Sequence, residues 1–490
     1  MYGIVVGKAI EPIPQGMPIT TKNVKHKANS FSRRTEHNQW TPPPVDPWKN
    51  KTFMGFHRED GQVGVANFWL VIPMVFCENR NVLTIQQAFE KGLGFSKPDP
   101  YEAYVQELVN LYEAGDLNKI DKVGFKEVST KLNPRIFPQI DGVKFLMHQG
   151  GCGGTRQDSE MLCALLAGYI HNPNVAGATI LSLGCQNAEV SLLEEKLKVL
   201  DPSRTKPVIV LEQQKEGTEQ ALLTKAIQQT FLALTKANLL QRKPAPLNKL
   251  IVGLECGGSD GFSGISANPS VGYASDLLTA MGGSTILSEF PELCGVEQEL
   301  INRCVDDQKA EKFIHLMRSY SRAAESVGSG FDMNPSPGNI KDGLITDAIK
   351  SAGAAKKGGT SPIADVLDYT EYVSQPGLNL LCTPGNDVES TTAMAASGAT
   401  IMLFTTGLGT PTGNPIAPVI KVSSNTALTQ RMPDIIDLDT GGVISGEKTI
   451  REMGIEILEK IIEVANGTYT TKAMTLQQND FIPWKRGVSL

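Results

Sequence analysis

Four cysteines stand in loops that follow apolar runs: Cys77 in VFCENRN (75–81), Cys152 in HQGGCGGTRQDS (148–159), Cys185 in LGCQNAE (183–189) and Cys256 in ECGGSDGFSGISANP (255–269). A lone cysteine packs as a small hydrophobe, and Cys163 inside the helical pattern MLCALLAG reads that way. Four thiols at successive strand ends suit soft-metal chemistry, because such positions converge in space while remote in sequence. No C-x-x-C spacing accompanies them, so the fold has to bring them together. The competing account is that they pack at the ends of a sheet while oxygens elsewhere hold a hard cation. His148, four residues before Cys152, is read as a ligand, an acid/base or a core histidine.

The glycine loops raise the question of nucleotides. GCGGTR (151–156) puts Arg156 where a third glycine belongs, and no G-x-x-x-x-G-K-[ST] occurs in these loops, which leaves a nucleotide-dependent enzyme as a weak rival. Arg156 at a helix start suits a clamp for a carboxylate, against the alternative of a surface ion pair. Ser259, Asp260, Ser263 and Asn268, with Asn334, Ser336, Asn339 and Lys341 in MNPSPGNIKDG (333–343), offer many donors and acceptors to a polyhydroxylated ligand. Asn268-Pro269 reads more simply as a helix N-cap followed by proline at the first helical position. Lys421, ending APVIK, is either a cation for a substrate carboxylate or a snorkelling side chain.

These loops need a scaffold of alternating strands and helices. Apolar runs at 67–76, 143–148, 178–184 and 206–212 alternate with helical patterns at 189–200 and 219–242. The alternation resumes with runs at 249–255, 284–290, 361–367, 378–382, 400–406 and 417–423. The predicted fold is α/β, two parallel-sheet domains in tandem, with ligands beyond the carboxyl ends of the strands. The divisions are a partial small β module over 1–30, a Pro-rich linker over 31–52 containing Pro42, Pro43, Pro44 and Pro47, and α/β domains over 53–245 and 246–490.

Composition narrows the class further. A chain of 490 residues, 41% hydrophobic and 20% charged with net charge −6, is an ordinary globular composition with no footprint for nucleic acid or anionic membrane. It lacks a long apolar span and a secretory signal, and its eight irregularly spaced cysteines do not form a disulfide framework, so a cytoplasmic protein with free thiols is expected. Self-association into a homo-oligomer is compatible with this.

Taken in order, HQGGC, LGCQ, ECGGSDGFSGISANP, NPSPGN, PGLNLLCTPGND and TTGLGTPTGNPIAPVIK resemble the signatures of the altronate dehydratase and galactarate dehydratase family. The likeness runs from about Phe53 to the C-terminus, and Pro-Gly-Asn-Asp at 384–387 leans toward the altronate branch. It implies elimination of water from a sugar acid to a 2-keto-3-deoxy acid, with Fe2+ or Mn2+, and admits an iron–sulfur cluster. Loss of the proton beside a carboxylate needs cations to hold the enediolate and an acid for the departing hydroxyl.

On this chain the family motifs contain His148, Cys152, Cys185, Cys256, Ser259, Asp260, Asn334, Asn339, Asp387, Thr406 and Lys421, and the resemblance does not itself assign acid, base and ligand. The chemistry of the side chains suggests His148, Asp260 and Lys421 as catalytic, Arg156, Ser259, Asn334, Asn339, Asp387 and Thr406 as substrate-binding, and Cys77, Cys152, Cys185 and Cys256 as metal-binding. His148 is assigned as base and Asp260 as the group that orients or protonates. The N-terminal segment is similar only to the final part of the family's SAF-type β module. Thr20 and Lys22 stand where some members carry a His-x-His pair, which leaves open a start upstream of Met1. An inactive sugar-acid-binding protein is the non-enzyme alternative.

Overall fold

A computed structural model describes residues 3–36, 38–96, 100–126 and 134–487. The N-terminal module is a two-stranded antiparallel ribbon, β1 (Lys8–Ala9) against β2 (Val24–Lys25). The proline-rich stretch after it runs without helix or strand along the second domain. Ser32 N–H donates to Gln298 Oε1 at 3.0 Å, Trp40 Nε1 to Thr360 Oγ1 at 3.2 Å, and Trp48 Nε1 to Glu459 Oε1 at 2.7 Å. Proline's fixed φ keeps it extended, and these contacts hold it in place.

Strands β3 (Thr52–His57) and β4 (Val63–Gly64) lead into the first parallel sheet. That sheet comprises β5 (Phe68–Pro73), β6 (Gly142–Phe145), β7 (Val175–Ser182) and β8 (Val208–Glu212) in the order β6-β5-β7-β8. Every residue of β5 is buried, as its unbroken apolar run FWLVIP predicts for a strand covered on both faces. Strand β9 (Lys243–Pro246) then returns to pair antiparallel with β3, closing a small sheet that the alternating pattern did not reveal.

The second sheet holds β10 (Ile251–Cys256), β11 (Ser284–Leu287), β12 (Ile363–Leu367), β13 (Gly377–Leu381), β14 (Ile401–Thr406), β15 (Val419–Ser423) and β16 (Leu438–Asp439). Their order is β12-β13-β11-β10-β14-β15-β16, and every pairing is parallel. The chain leaves β10 toward β11 on one side and comes back from β13 to β14 on the other. The end of β10 is therefore a topological switch point, where loops diverge and open a crevice.

The two domains are welded together. Asn172 Nδ2 donates to the carbonyls of Ala395 at 2.8 Å and Ala399 at 2.9 Å, and Asn174 Nδ2 to those of Thr400 at 2.9 Å and Ile416 at 2.8 Å. Gly168 lies so close to the Ala396 backbone that a Cβ would overlap its carbonyl oxygen. One apolar cluster accordingly contains Leu70, Leu166 and Tyr169 of the first domain beside Ala393, Met394 and Phe404 of the second.

One local expectation is corrected. The helix Ala267–Ala280 starts after Ser266, and Asn268 does not cap it. Asn268 Oδ1 accepts from Thr405 Oγ1 at 2.6 Å and its Nδ2 donates to Gly353 O at 3.1 Å. A buried amide must satisfy both ends, and here tertiary partners claim them.

Candidate active site

The first-domain loops form a backbone mesh. Phe76 N–H donates to Gly150 O at 3.1 Å and Ala188 N–H to Gly151 O at 3.0 Å, so the loops carrying Cys77, Cys152 and Cys185 lie side by side. Gly151 has φ +99° and its missing Cβ would overlap Met74 O, which accounts for a glycine there. Cys77, Cys152 and Cys185 are exposed, and Gln214 Nε2 donates to Cys185 Sγ at 3.3 Å.

His148 is buried beneath this mesh, with Nε2 2.7 Å from Pro73 O and Nδ1 accepting from Gly150 N–H at 3.1 Å. Nε2 therefore carries the hydrogen, and burial pushes the ring's pKa down to about 4. With both nitrogens bonded to backbone, His148 anchors the loop. Arg156 is exposed in the first turn of the helix Arg156–His171, which Thr155 and Asp158 close with a capping box.

A cavity of about 490 Å³ opens beside the mesh, lined by His148, Cys152 and Ser159 on one side and Tyr369, Phe481 and Trp484 on the other. The C-terminal strap makes this far wall. Arg486 N–H and Gly487 N–H donate to Asp158 Oδ1 at 3.1 and 2.9 Å, and Arg486 pairs with Asp368 at 2.6 Å. Asp158 follows the Cys152 loop and Asp368 follows β12, so the carboxyl ends of both sheets border one cleft.

The strand ends of the second sheet are electrically different. Glu255 and Cys256 end β10, Glu289 and Glu292 follow β11, and all four are buried. Glu289 has φ 66°, a left-handed conformation unusual for a side chain of its size, held by its own N–H donating to Thr383 Oγ1 at 2.9 Å. Lys357 Nζ lies 2.9 Å from Glu289 Oε2 and 2.8 Å from Cys256 Sγ, and Lys350 Nζ lies 2.6 Å from Glu292 Oε1. Ser390 Oγ donates to Glu255 Oε2 at 2.6 Å. Burial, with Glu289 adding to it, pushes the Glu255 carboxyl well up from its ordinary range. Burial alone would raise Glu292 too, but Lys350 and Lys357 bring it below the usual range.

The other residues marked from the sequence fall around this cluster. Asn334 Nδ2 donates to Glu292 Oε1 at 3.2 Å and its Oδ1 accepts from Lys350 at 2.9 Å. Asn339 Nδ2 donates to Ser259 O at 2.8 Å, and Thr406 Oγ1 accepts from Gly409 N–H at 3.0 Å. Asp260 Oδ1 accepts from Ser263 N–H, Ser263 Oγ and Ser424 Oγ, each at 2.8 Å, while Asn425 Nδ2 reaches Oδ2 at 3.1 Å. It ties the β10 loop to the end of β15. Asp387 opens the helix Asp387–Ala396, half-buried, while Lys421 is wholly buried with Nζ 3.4 Å from the Phe404 ring centroid.

Glu255, Glu289, Glu292, Lys350 and Lys357 were not singled out from the sequence. The acids end apolar runs or sit in short turns, and the lysines lie in helical segments far along the chain; only φ at Glu289 and the ion pairs expose them.

Two residue sets bear on a metal. The thiols of Cys77, Cys152 and Cys185 are soft, exposed donors on interlocked loops, the donor type iron takes, but their sulfur atoms do not all lie within 4.8 Å of one another. Cys256 is buried, with Sγ beside Glu289, Glu292 and Lys357. Among the described residues the groups with three ligand atoms within 4.8 Å of one another are Cys256/Glu289/Glu292 and Glu255/Glu289/Asp387. There the Lys357 ammonium already supplies the positive charge that a metal would bring. All eight cysteines are free, as expected, and no helix among the described residues is long and apolar enough to cross a membrane.

Two parallel sheets whose carboxyl ends border one cavity, with thiols on the loops of the first and buried acids and lysines at the strand ends of the second, make an α/β enzyme scaffold for polar ligands. Residues 55–238 match the model described as "D-galactarate dehydratase/Altronate hydrolase, second domain" and residues 247–489 that described as "D-galactarate/Altronate dehydratase, C-terminal". The chain is 34% identical over 499 residues to the altronate dehydratase of Bacillus subtilis, covering 100% of this chain and 88% of the relative. To the altronate dehydratase of Escherichia coli it is 31% identical, again over 100% of this chain and 88% of the relative. To the Escherichia coli galactarate dehydratase (L-threo-forming) it is 30% identical over 96% of this chain and 83% of that protein. The chain belongs to the galactarate/altronate dehydratase family.

Proposed function

We propose that this protein is a hydro-lyase of the cytoplasm that converts D-altronate to 2-dehydro-3-deoxy-D-gluconate and water. The observation that carries the reading is the likeness of the whole chain to relatives named altronate dehydratase. The cleft supports it, since hydroxyl and amide groups at the strand ends suit a sugar acid and proton-carrying side chains suit an elimination without a redox cofactor.

Cys77, Cys152 and Cys185 would hold Fe2+, Mn2+ or an iron–sulfur cluster, which supplies Lewis acidity toward the substrate. Arg156, at the helix start beside them, takes the substrate carboxylate, where a guanidinium and unpaired N–H groups favour an anion. The cavity wall of Tyr369, Phe481 and Trp484 covers the carbon chain and excludes water.

The test is to incubate iron-reconstituted protein with D-altronate, D-galactarate and related aldonates and to assay 2-keto-3-deoxy acids. Product from D-altronate is expected, and no product from any of them removes the dehydratase reading. The likeness to a galactarate dehydratase favours galactarate as the second substrate to try. Sugar-acid binding by calorimetry without turnover, under anaerobic iron-replete conditions, would instead identify an inactive binding protein.

A further inference from the structure

The cluster at the strand ends of the second sheet holds more acid than base. Glu255, Glu289, Glu292 and Asp387 face Lys350, Lys357 and Lys421, and the oxygens of Glu255, Glu289 and Asp387 lie within 4.8 Å of one another. Three carboxylates so close in a buried site cannot all be ionised. Glu289 and Glu292 have their lysines, and Glu255 is held by Ser390. Asp387 differs, since among the described residues its carboxylate accepts no hydrogen bond, whereas Asp260 accepts several.

An independent observation points to the same place. Lys421 Nζ is fully buried with no hydrogen-bond partner, a costly state for an amine unless something completes it. Asp437, one of the acids acting on it, is already engaged, because its oxygens accept from Lys421 N–H at 2.7 Å, Tyr469 Oη at 2.8 Å and Lys472 N–H at 3.0 Å. Asp480 Oδ2 accepts from Gly413 N–H at 2.8 Å, and Glu255 Oε2 accepts from Ser390 Oγ at 2.6 Å. Asp387 acts on Lys421 more strongly than any of these acids.

Asp387 lies among the strand-end loops of the second sheet. It opens the helix after β13 at the switch point, next to exposed Gly385 and Asn386, and a Cβ on Gly257 after β10 would overlap its carboxylate.

We propose that Asp387 is the catalytic acid that protonates the departing hydroxyl, and that Lys421 is the positioning residue that holds its proton ready for release. The proposal rests on the dehydratase reading. When the carbon–hydrogen bond beside the carboxylate breaks, its proton passes to water acting as base and its electron pair forms the carbon–carbon double bond. The carbon–oxygen electrons leave with the hydroxyl, which takes the Asp387 proton and departs as water. The enol collapses to the ketone, and solvent returns a proton to Asp387.

Charge supports these roles. Burial, reinforced by Glu289 and Glu292 and opposed by Lys421 and Lys350, pushes Asp387 up to about 7. Burial brings Lys421 down to about 7 against the pull of Asp387, Asp437, Asp480 and Glu255. An acid poised near neutrality keeps its proton at rest and yields it at the transition state.

The test compares wild-type protein with Asp387→Asn and Lys421→Met on D-altronate and on its 3-deoxy-3-fluoro analogue, whose fluoride departs without protonation. Asp387→Asn is expected to lose about 10²–10⁴-fold in kcat on the hydroxyl substrate and to eliminate fluoride at close to the wild-type rate, which also proves it folded. Asp387→Glu should recover part of the loss. Lys421→Met removes a cation that lowers the Asp387 pKa, so the alkaline limb of its rate profile should move to higher pH.

Dehydration by Asp387→Asn within a few-fold of wild type, an equal loss on the fluoro substrate, or an unmoved alkaline limb in Lys421→Met would overturn the proposal. A wild-type protein inert toward every sugar acid removes the dehydratase reading, and the proposal with it.

Discussion

The carboxyl ends of the two sheets make opposite use of similar loops. In the first domain, glycine-rich turns interlock through their own backbone, leave three thiols in solvent and bury a neutral histidine. In the second, equally glycine-rich turns cover a set of buried acids and lysines. An exposed thiol costs the fold little, whereas a buried charge survives only with a partner and completed hydrogen bonds. The first set of loops is therefore free to take its chemistry from outside, and the second must carry its own.

The widest separation expected is in metal content. Cys152→Ser should abolish both bound iron and turnover with little change in thermal midpoint, and Cys256→Ser should keep wild-type iron, both read by metal analysis of purified protein. Iron lost equally in both variants would erase the distinction drawn between the two sets of loops.

Stability should separate them next. Lys357→Met leaves Glu289 buried without its partner and is expected to cost about 3–5 kcal/mol in denaturant unfolding. Lys215→Met removes the exposed pair with Glu212 near the first sheet's edge and should change stability by about 1 kcal/mol or less.

Acid should act on the two regions in opposite senses. Burial pushes His148 and His171 of the first domain down to about 4 from 6.5. The unfolded chain binds those protons first, so their stabilisation is complete above about pH 6.5 and lost as pH falls toward about 4. Asp387 is raised from 3.8 to about 7, so its contribution is complete below about pH 3.8 and lost as pH rises through about 7. Thermal midpoints against pH should show a shallower acid loss in His148→Gln and a shallower loss toward neutrality in Asp387→Asn. Identical slopes in both variants and wild type would count against these burial effects. The smallest change is expected from Trp484→Ala in the strap, a modest rise in KM for altronate with kcat nearly kept, since the indole lines the cavity without carrying a proton.

Period and punctuation made most of the strands legible. Runs such as FWLVIP, APVIKVS and TIMLFTT lie on β5, β15 and β14, because buried parallel strands need continuous apolar side chains. The small sheet of β3, β4 and β9 was not legible, since Thr52–His57 pairs with a segment almost two hundred residues later. Among candidate site residues, the first-domain thiols stood out because cysteine in a glycine-rich loop is conspicuous by type. Glutamate at a strand end is not, and Glu289 and Glu292 passed as turn residues until their lysines were seen beside them.

By its sequence alone, then, this protein is an α/β chain with ligand loops at the strand ends and thiols on the first of them, because local periodicity and residue type act over a few residues. Which loops share the cleft, that Cys256 belongs with lysine rather than with the other thiols, that His148 serves the backbone, and that Asp387 and Lys421 are left with protons to exchange were decided only by tertiary structure. Burial and electrostatic partnership arise between groups remote along the chain, and no local pattern encodes which charge will find which partner in the dark of the core.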